Sequence, residues 1–137
     1  MRSFFLIFSI LFFVFSVLYF SWIASPRFEY NQLVPKWIWQ WTDKDENGNL
    51  RTAIPLFFLG LFSGLYLLFQ KHKTIYWVLV FLSLVSLVFI AELGQLLRPI
   101  RIFDWKDIYW GSVGAGNGLL VIFMVKLIKS KIKNNKC

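Results

Sequence analysis

Four long apolar runs, separated by polar segments, dominate the pattern of this 137-residue chain. They cover about residues 4–23, 53–69, 74–97 and 107–128. A helix needs ~20 residues to cross the hydrocarbon layer of a membrane, and each run comes close to that length. The pattern predicts an all-α fold in which residues 1–137 form one domain, an integral membrane bundle of four transmembrane helices.

Local signals predict where these helices begin and end. Pro55 suits the first turn of the second helix, because its missing N–H costs nothing there. Thr74 is a candidate N-cap of the third helix, which Pro99 ends. Asp104 is the candidate N-cap of the fourth helix, where a carboxylate also interacts favourably with the helix dipole.

The first apolar run allows two interpretations, a signal peptide or a retained helix. Arg2 supplies the short basic start of a signal peptide. However, cleavage after Ala24 would place Trp22 at a position that requires a small residue, and the run is longer than a usual signal core. A retained transmembrane helix is the preferred interpretation.

Composition and charge agree with a membrane protein. The chain is 58% hydrophobic and 16% charged, whereas soluble domains are about half apolar and a quarter charged. Much of the net charge of +8 lies in or after the last apolar run, where a basic tail fixes orientation or touches anionic lipid. The basic residues of this tail are Lys126, Lys129, Lys131, Lys133 and Lys136. Because the positive charge is concentrated there, no nucleic-acid partner is expected.

Four spans place both termini on the same side of the membrane. Arg2, the short loop with Lys71 and Lys73, and the lysine tail then share one side, which the positive-inside rule assigns to the cytoplasm. The sequence thus predicts a multi-pass membrane protein with both termini cytoplasmic. On the other side, the alternating tryptophans of WIWQW predict that residues 24–51 lie along the membrane interface.

Small residues recur at helical spacing in the second and fourth predicted helices. Such residues let helix backbones approach closely in lipid, so they predict helix–helix contacts. Packing within the chain is the preferred interpretation, and a homo-oligomer interface is the alternative. Asn117 is expected to face another helix, because its amide needs partners. The glycines of these contacts are Gly60, Gly64, Gly111, Gly114 and Gly118.

A cluster of polar residues, AELGQLLRPIRIFDWKDIYWG (residues 91–111), interrupts the apolar pattern between the third and fourth helices. Glu92 and Gln95 are three residues apart and share one helix face. Burial of a charge in lipid is costly, so this face should point into the bundle or a polar cleft. The cluster residues with candidate roles are Glu92, Gln95, Arg98, Arg101, Asp104 and Asp107.

Two interpretations of this cluster coexist. In the first, carboxylates and bases form a charge-balanced clasp that fixes the helical hairpin. In the second, they line a pocket that opens outward, in which Arg101 binds a phosphate or carboxylate through two parallel hydrogen bonds. An ionisable group within a membrane is a site hypothesis by default.

The cluster resembles the pattern of the VanZ-like membrane proteins over residues 91–118. Gly111 stands where that pattern has asparagine. The resemblance implies a small bacterial membrane protein, in a family whose namesake is linked to resistance to the glycopeptide antibiotic teicoplanin. The matching residues are Glu92-x-x-Gln95, Arg101-x-Phe103-Asp104-x-x-Asp107, Gly114 and Gly118.

Three functions follow as hypotheses. The preferred one is a non-enzymatic envelope protein that binds membrane lipid, a lipid-linked molecule or a glycopeptide-like ligand. The alternative is a membrane enzyme acting on a lipid-linked substrate, with Glu92 or Asp107 as general base. The third is an oligomeric subunit or small transporter built on the glycine faces.

Metal and cofactor chemistry has little support in the sequence. Cys137 is the only cysteine, so an intramolecular disulfide is impossible. DKDENGNL (residues 43–50) matches the start of an EF-hand calcium loop, but Ile54 stands where the closing glutamate belongs. A polar turn at Asn47-Gly48 is the preferred interpretation. No metal site or cofactor is predicted.

Overall fold

The computed structural model describes residues 2–22, 32, 34–44, 47–97 and 103–134. Within these ranges the chain is helical and contains no strand, so the all-α prediction is confirmed. Four of the helices are long and apolar enough to cross a membrane; α2 is the short exception. The helices are α1 (Arg2–Trp22), α2 (Lys36–Thr42), α3 (Gly48–Phe69), α4 (Thr74–Gln95) and α5 (Trp105–Asn134).

Some helix boundaries differ from those predicted. α3 begins at Gly48 instead of 53, so Pro55 lies inside the helix and not in its first turn. A proline in a helix forfeits one backbone hydrogen bond without changing the helical φ value, and α3 continues through it. α4 begins at Thr74, so the N-cap is Lys73 and not Thr74 as predicted, and the helix ends at Gln95 instead of 97. α5 continues to Asn134, because lysine is a good helix former and extends the helix beyond the apolar run.

The short helix α2 was not predicted. Its sequence, KWIWQWT, alternates aromatic and other residues with a period of two, which does not resemble an amphipathic helix. Trp37 is 73% exposed, whereas Thr42 is buried and donates a hydrogen bond to the Ile38 carbonyl at 3.0 Å. Part of the segment predicted to be interfacial is therefore a helix that presents tryptophan at its surface.

Helices α3 and α5 form the closest contact in the bundle. A Cβ atom at Gly60, Gly114 or Gly118 would overlap the backbone of the facing helix. Gly64 lies against Ile122, and Gly111 lies against Val88 of α4. The glycine faces are thus covered by contacts within the chain.

Around this contact, leucine, valine and aromatic side chains form the buried core. Leu56 and Leu59 of α3, Val88 of α4 and Ala115 of α5 are among its most buried residues. α1 packs less closely. Its Phe13 ring stacks on those of Phe58 and Phe62, while much of its remaining aromatic surface is exposed.

The bundle has two chemically different ends. At one end, here called the His72 end, Gln70 donates a hydrogen bond to the Ser3 hydroxyl at 3.2 Å. There the Lys126 ammonium donates to the His72 carbonyl at 3.3 Å and lies 5.3 Å from the centre of the Trp77 ring. The opposite end, here called the Glu92 end, contains the C-termini of α1 and α4 and the N-termini of α3 and α5.

Candidate functional site

Glu92 and Gln95 are buried in the last two turns of α4, with exposures of 3% and 6%. Because they are three residues apart, their side chains meet on one face of the helix. The Gln95 amide donates to Glu92 Oε1 at 2.8 Å and to the Ser21 hydroxyl at 3.0 Å. A buried carboxylate is thereby joined to α1 through one glutamine.

The C-terminal end of α1 is anchored to α4 next to this pair. Ser21 Oγ and Trp22 Nε1 both donate to the Ala91 carbonyl, at 3.0 and 3.1 Å. Gly94 has no side chain and makes room for the Trp22 indole ring. The position of α1 at the Glu92 end is therefore set by polar contacts, which compensates for its loose packing elsewhere.

The aspartates at the start of α5 have different roles. The Asp104 side chain is exposed and accepts a hydrogen bond from the Lys106 N–H at 2.8 Å, which is an N-cap contact. The backbone N–H of Asp104 donates to Glu92 Oε2 at 3.4 Å. Asp107 is half-buried and accepts a hydrogen bond from the Thr52 hydroxyl at 3.2 Å.

The structure brings together part of the predicted cluster. Glu92, Gln95 and Asp107 line one cavity, and Asp104 touches Glu92 through its backbone. Arg98 and Arg101 lie outside the described residues. The base that the structure places at this cavity is Arg51 of α3, which is half-buried.

The cavity has a volume of about 410 Å³ and lies between α1, α3 and α4, next to α2. Its size falls within the range of ordinary small-molecule sites. The polar residues in its wall are Ser16, Ser21, Arg51, Thr52, Glu92, Gln95 and Asp107. The apolar residues are Phe12, Phe13, Val17, Phe20, Val34, Pro35, Ile38, Pro55, Leu56, Val88 and Ala91.

The charged residues of the cavity wall, Arg51, Glu92 and Asp107, all lie at the Glu92 end, whereas apolar residues line the cavity along its whole length. Ser21 and Gln95 lie at the Glu92 end, whereas Phe12 lies nine residues earlier than Ser21 on α1. Nine residues correspond to about 13 Å of helix. The cavity therefore has the polarity of an amphiphile, with a charged end and an apolar extension along α1.

The described part of the candidate calcium segment, residues 43, 44 and 47–50, differs from an EF-hand loop. α3 begins at Gly48, in the middle of the span that an EF-hand loop would occupy. The Asn47 amide donates to the Trp41 carbonyl at 2.8 Å and so connects the end of α2 with the start of α3. Among the described residues, no group of three or more His, Cys, Asp or Glu side chains is arranged to hold a metal ion.

Several residues of the site had not been recognised in the sequence. Arg51 and Thr52 stand before the second apolar run, and Ser21 lies near the end of the first run. Their contacts join residues 55 and 74 positions apart. These contacts become visible only when α1 and α3 pack against α4 and α5. In the sequence, the position of Arg51 next to an apolar run was the one signal of a site residue.

Comparison with known proteins identifies no relative: no family model, curated protein or solved structure matches this chain. The physical properties of the cavity therefore carry the functional argument.

Proposed function

We propose that this protein spans the bacterial cell membrane and binds an envelope lipid or lipid-linked molecule in the cavity between α1, α3 and α4. The observation that carries this proposal is that the charged residues of the cavity wall are confined to the Glu92 end, while the wall continues along α1 without a charged residue. A soluble polar ligand would leave the apolar part unfilled, and a plain hydrocarbon would leave Glu92 and Arg51 facing an apolar molecule.

The charged end decides which molecule is bound. In a membrane, an acyl chain that moves from the bilayer into an apolar cavity gains little hydrophobic free energy, because lipid tails are as apolar as the cavity wall. The head group must therefore supply the selectivity. Glu92 and Asp107 accept hydrogen bonds from hydroxyl, amide or ammonium groups, while the Arg51 guanidinium suits a phosphate or carboxylate.

A lipid-linked envelope precursor combines these features, since it joins a phosphate to hydroxyl and amide groups. Residues 91–118 also resemble the pattern of the VanZ-like proteins, whose namesake is linked to teicoplanin resistance. Under this proposal, a link to glycopeptide resistance would arise from binding a lipid-linked molecule or the glycopeptide itself. The Glu92 end would provide the head-group contacts.

Membrane orientation follows from the charges at the two ends. Lys71, Lys73 and Lys126 lie at the His72 end, together with the lysine-rich C-terminal part of α5. Positive residues favour the cytoplasmic side, so both termini are cytoplasmic in this proposal. The Glu92 end and the tryptophans of α2 then lie at the outer interface, where an envelope lipid presents its head group.

Filling the cavity tests this proposal. Ser16 lines the cavity, Ser9 does not, and each donates a hydrogen bond to the carbonyl four residues earlier. Ser16→Phe and Ser9→Phe therefore lose the same hydrogen bond and gain the same ring. Native mass spectrometry of the gently extracted protein should detect a bound lipid in the wild type and in Ser9→Phe, and a several-fold lower occupancy in Ser16→Phe.

The proposal fails if the wild type carries no lipid, or if both variants retain the same lipid equally. Mass identification of the retained molecule distinguishes an ordinary phospholipid from a lipid-linked precursor or a bound glycopeptide.

An enzymatic function is the second candidate, and the contact between Thr52 and Asp107 favours it. A hydroxyl that donates to a carboxylate beside a cavity is the arrangement that a general base uses to activate a nucleophile. If the protein hydrolyses or transfers a group of its lipid ligand, Asp107→Asn should abolish turnover of a labelled lipid-linked substrate even in the fraction of the protein that still binds the lipid. Equal turnover by the wild type and Asp107→Asn would exclude this role for Asp107.

A further inference from the structure

Asn117 lies on the outer surface of α5, near the middle of that helix. It follows Tyr109 by eight residues and precedes Lys126 by nine, which corresponds to about 12 and 13 Å of helix. Its side chain is exposed. Asn117 was expected to face another helix, but within this chain it faces none, because Gly116 faces Phe81 of α4 and Gly118 faces α3.

Serine hydroxyl groups elsewhere on the bundle form hydrogen bonds to the backbone of their own helix. Ser9 and Ser16 of α1 and Ser83 and Ser86 of α4 each donate to the carbonyl four residues earlier, at 2.7–2.9 Å. Asn117 differs, since no residue in the described part of the chain makes a hydrogen bond with its amide. With the proposed membrane insertion, on which this inference rests, Asn117 lies near mid-bilayer depth. An amide without partners there faces hydrocarbon, which costs free energy.

We propose that this face of α5 binds a second copy of the chain, with the two Asn117 amides hydrogen-bonded to each other. The amide has both donors and an acceptor, so it can pair with an identical group. Two copies inserted in the same orientation are related by a twofold axis along the membrane normal. Each Asn117 then meets its counterpart at the same depth, whereas another partner would need its own polar group there.

The residues around Asn117 suit such a contact. Leu120, Val121 and Met124 are exposed at spacings of three, four and seven residues from Asn117 and therefore share its helix face. They provide apolar surface around the amide pair. The glycines of α5 are already used against α3 and α4, so this interface is distinct from the glycine contact expected from the sequence.

Disulfide cross-linking locates the interface. With Cys137→Ser as background, Leu120→Cys should give disulfide-linked dimers in oxidised membranes, because position 120 lies beside the proposed axis. Leu11→Cys is the matched control, since Leu11 lies near the middle of α1 and has an exposure of 50% against 55% for Leu120. Equal cross-linking at both positions, or none at position 120, would overturn the proposal.

Energy transfer between fluorescently labelled copies in liposomes tests the amide itself. Asn117→Leu should raise the dimer dissociation constant about tenfold, which corresponds to about 1.4 kcal/mol. Asn117→Gln should stay close to the wild type, because glutamine carries the same donors and acceptor. Ser86→Leu, on α4, should have no effect. A monomeric wild type, or a dimer that is unchanged in Asn117→Leu, would refute the pairing.

Discussion

Glu92 is the most buried of the charged residues that the structure describes at this site. Its two carboxylate oxygens accept from different parts of the chain, Oε1 from the Gln95 amide and Oε2 from the backbone of Asp104. One side chain thus connects α4 to the start of α5 and, through Gln95, to Ser21 of α1. The same carboxylate lines the cavity, so its structural and binding roles coincide.

Glu92→Gln separates the two roles. Glutamine keeps the shape of the side chain but replaces charged acceptors with a neutral amide, and hydrogen bonds to charged groups contribute about 1.5–3 kcal/mol. We expect the free energy of unfolding to fall by about 2 kcal/mol, with the protein still folded and its bound lipid lost. Thermal unfolding measures the change in stability, and native mass spectrometry of the folded protein measures the loss of bound lipid.

Asp104→Asn serves as the control for this substitution. The Asp104 side chain is exposed, and asparagine caps a helix about as well as aspartate. Stability and lipid occupancy should therefore stay near the wild type. If Glu92→Gln removes the protein from the membrane while lipid still binds to the fraction that remains, Glu92 is a structural clasp only.

At the residue scale, the sequence predicted the local part of the site and missed the distant part. Glu92 and Gln95 share a face because a helix repeats every 3.6 residues, and Asp104 caps the helix that follows it. The contact of Thr52 with Asp107 depends on how α3 packs beside α5. No local pattern contains that information.

At the scale of helices, the approach of α3 and α5 determines the shape of the bundle. Gly118 faces the backbone at Phe57 and Leu61, whereas a Cβ atom added at Gly48 would meet no other atom within 4 Å. The same glycine-to-alanine change should therefore have very different consequences at these two positions.

Gly118→Ala should force α5 away from α3 and lower the free energy of unfolding by about 1–3 kcal/mol, as overpacking does in other cores. Gly48→Ala should change it by less than about 0.5 kcal/mol, because nothing opposes the added methyl group. Thermal unfolding in the same detergent compares the two variants. Equal melting temperatures would contradict the close contact of α3 with α5.

The four long helices could be predicted because length and apolar composition suffice to define them. α2 could not, since its seven residues alternate aromatic side chains with a strand-like period. The early start of α3 was also missed. Residues 48–52 are polar enough to suggest a loop, yet they continue the helix and bring Arg51 and Thr52 to the cavity.

At the scale of the whole molecule, the proposed orientation assigns the Glu92 end to the outside. Cys137 is the only native thiol, and Lys106 is exposed beside the candidate site. In intact cells, a thiol reagent that cannot cross membranes should leave Cys137 unlabelled. It should label Lys106→Cys in a Cys137→Ser background, and the reverse pattern would place the site in the cytoplasm.

The central claim is that an amphiphile occupies the cavity with its head group at Glu92. The most direct measurement is an experimental density map of the protein in lipid nanodiscs, with an antibody fragment bound to aid alignment. The map should contain elongated density between α1, α3 and α4, running from Glu92 toward Phe12. A cavity closed by movement of α1, or one that holds only water, would contradict the claim.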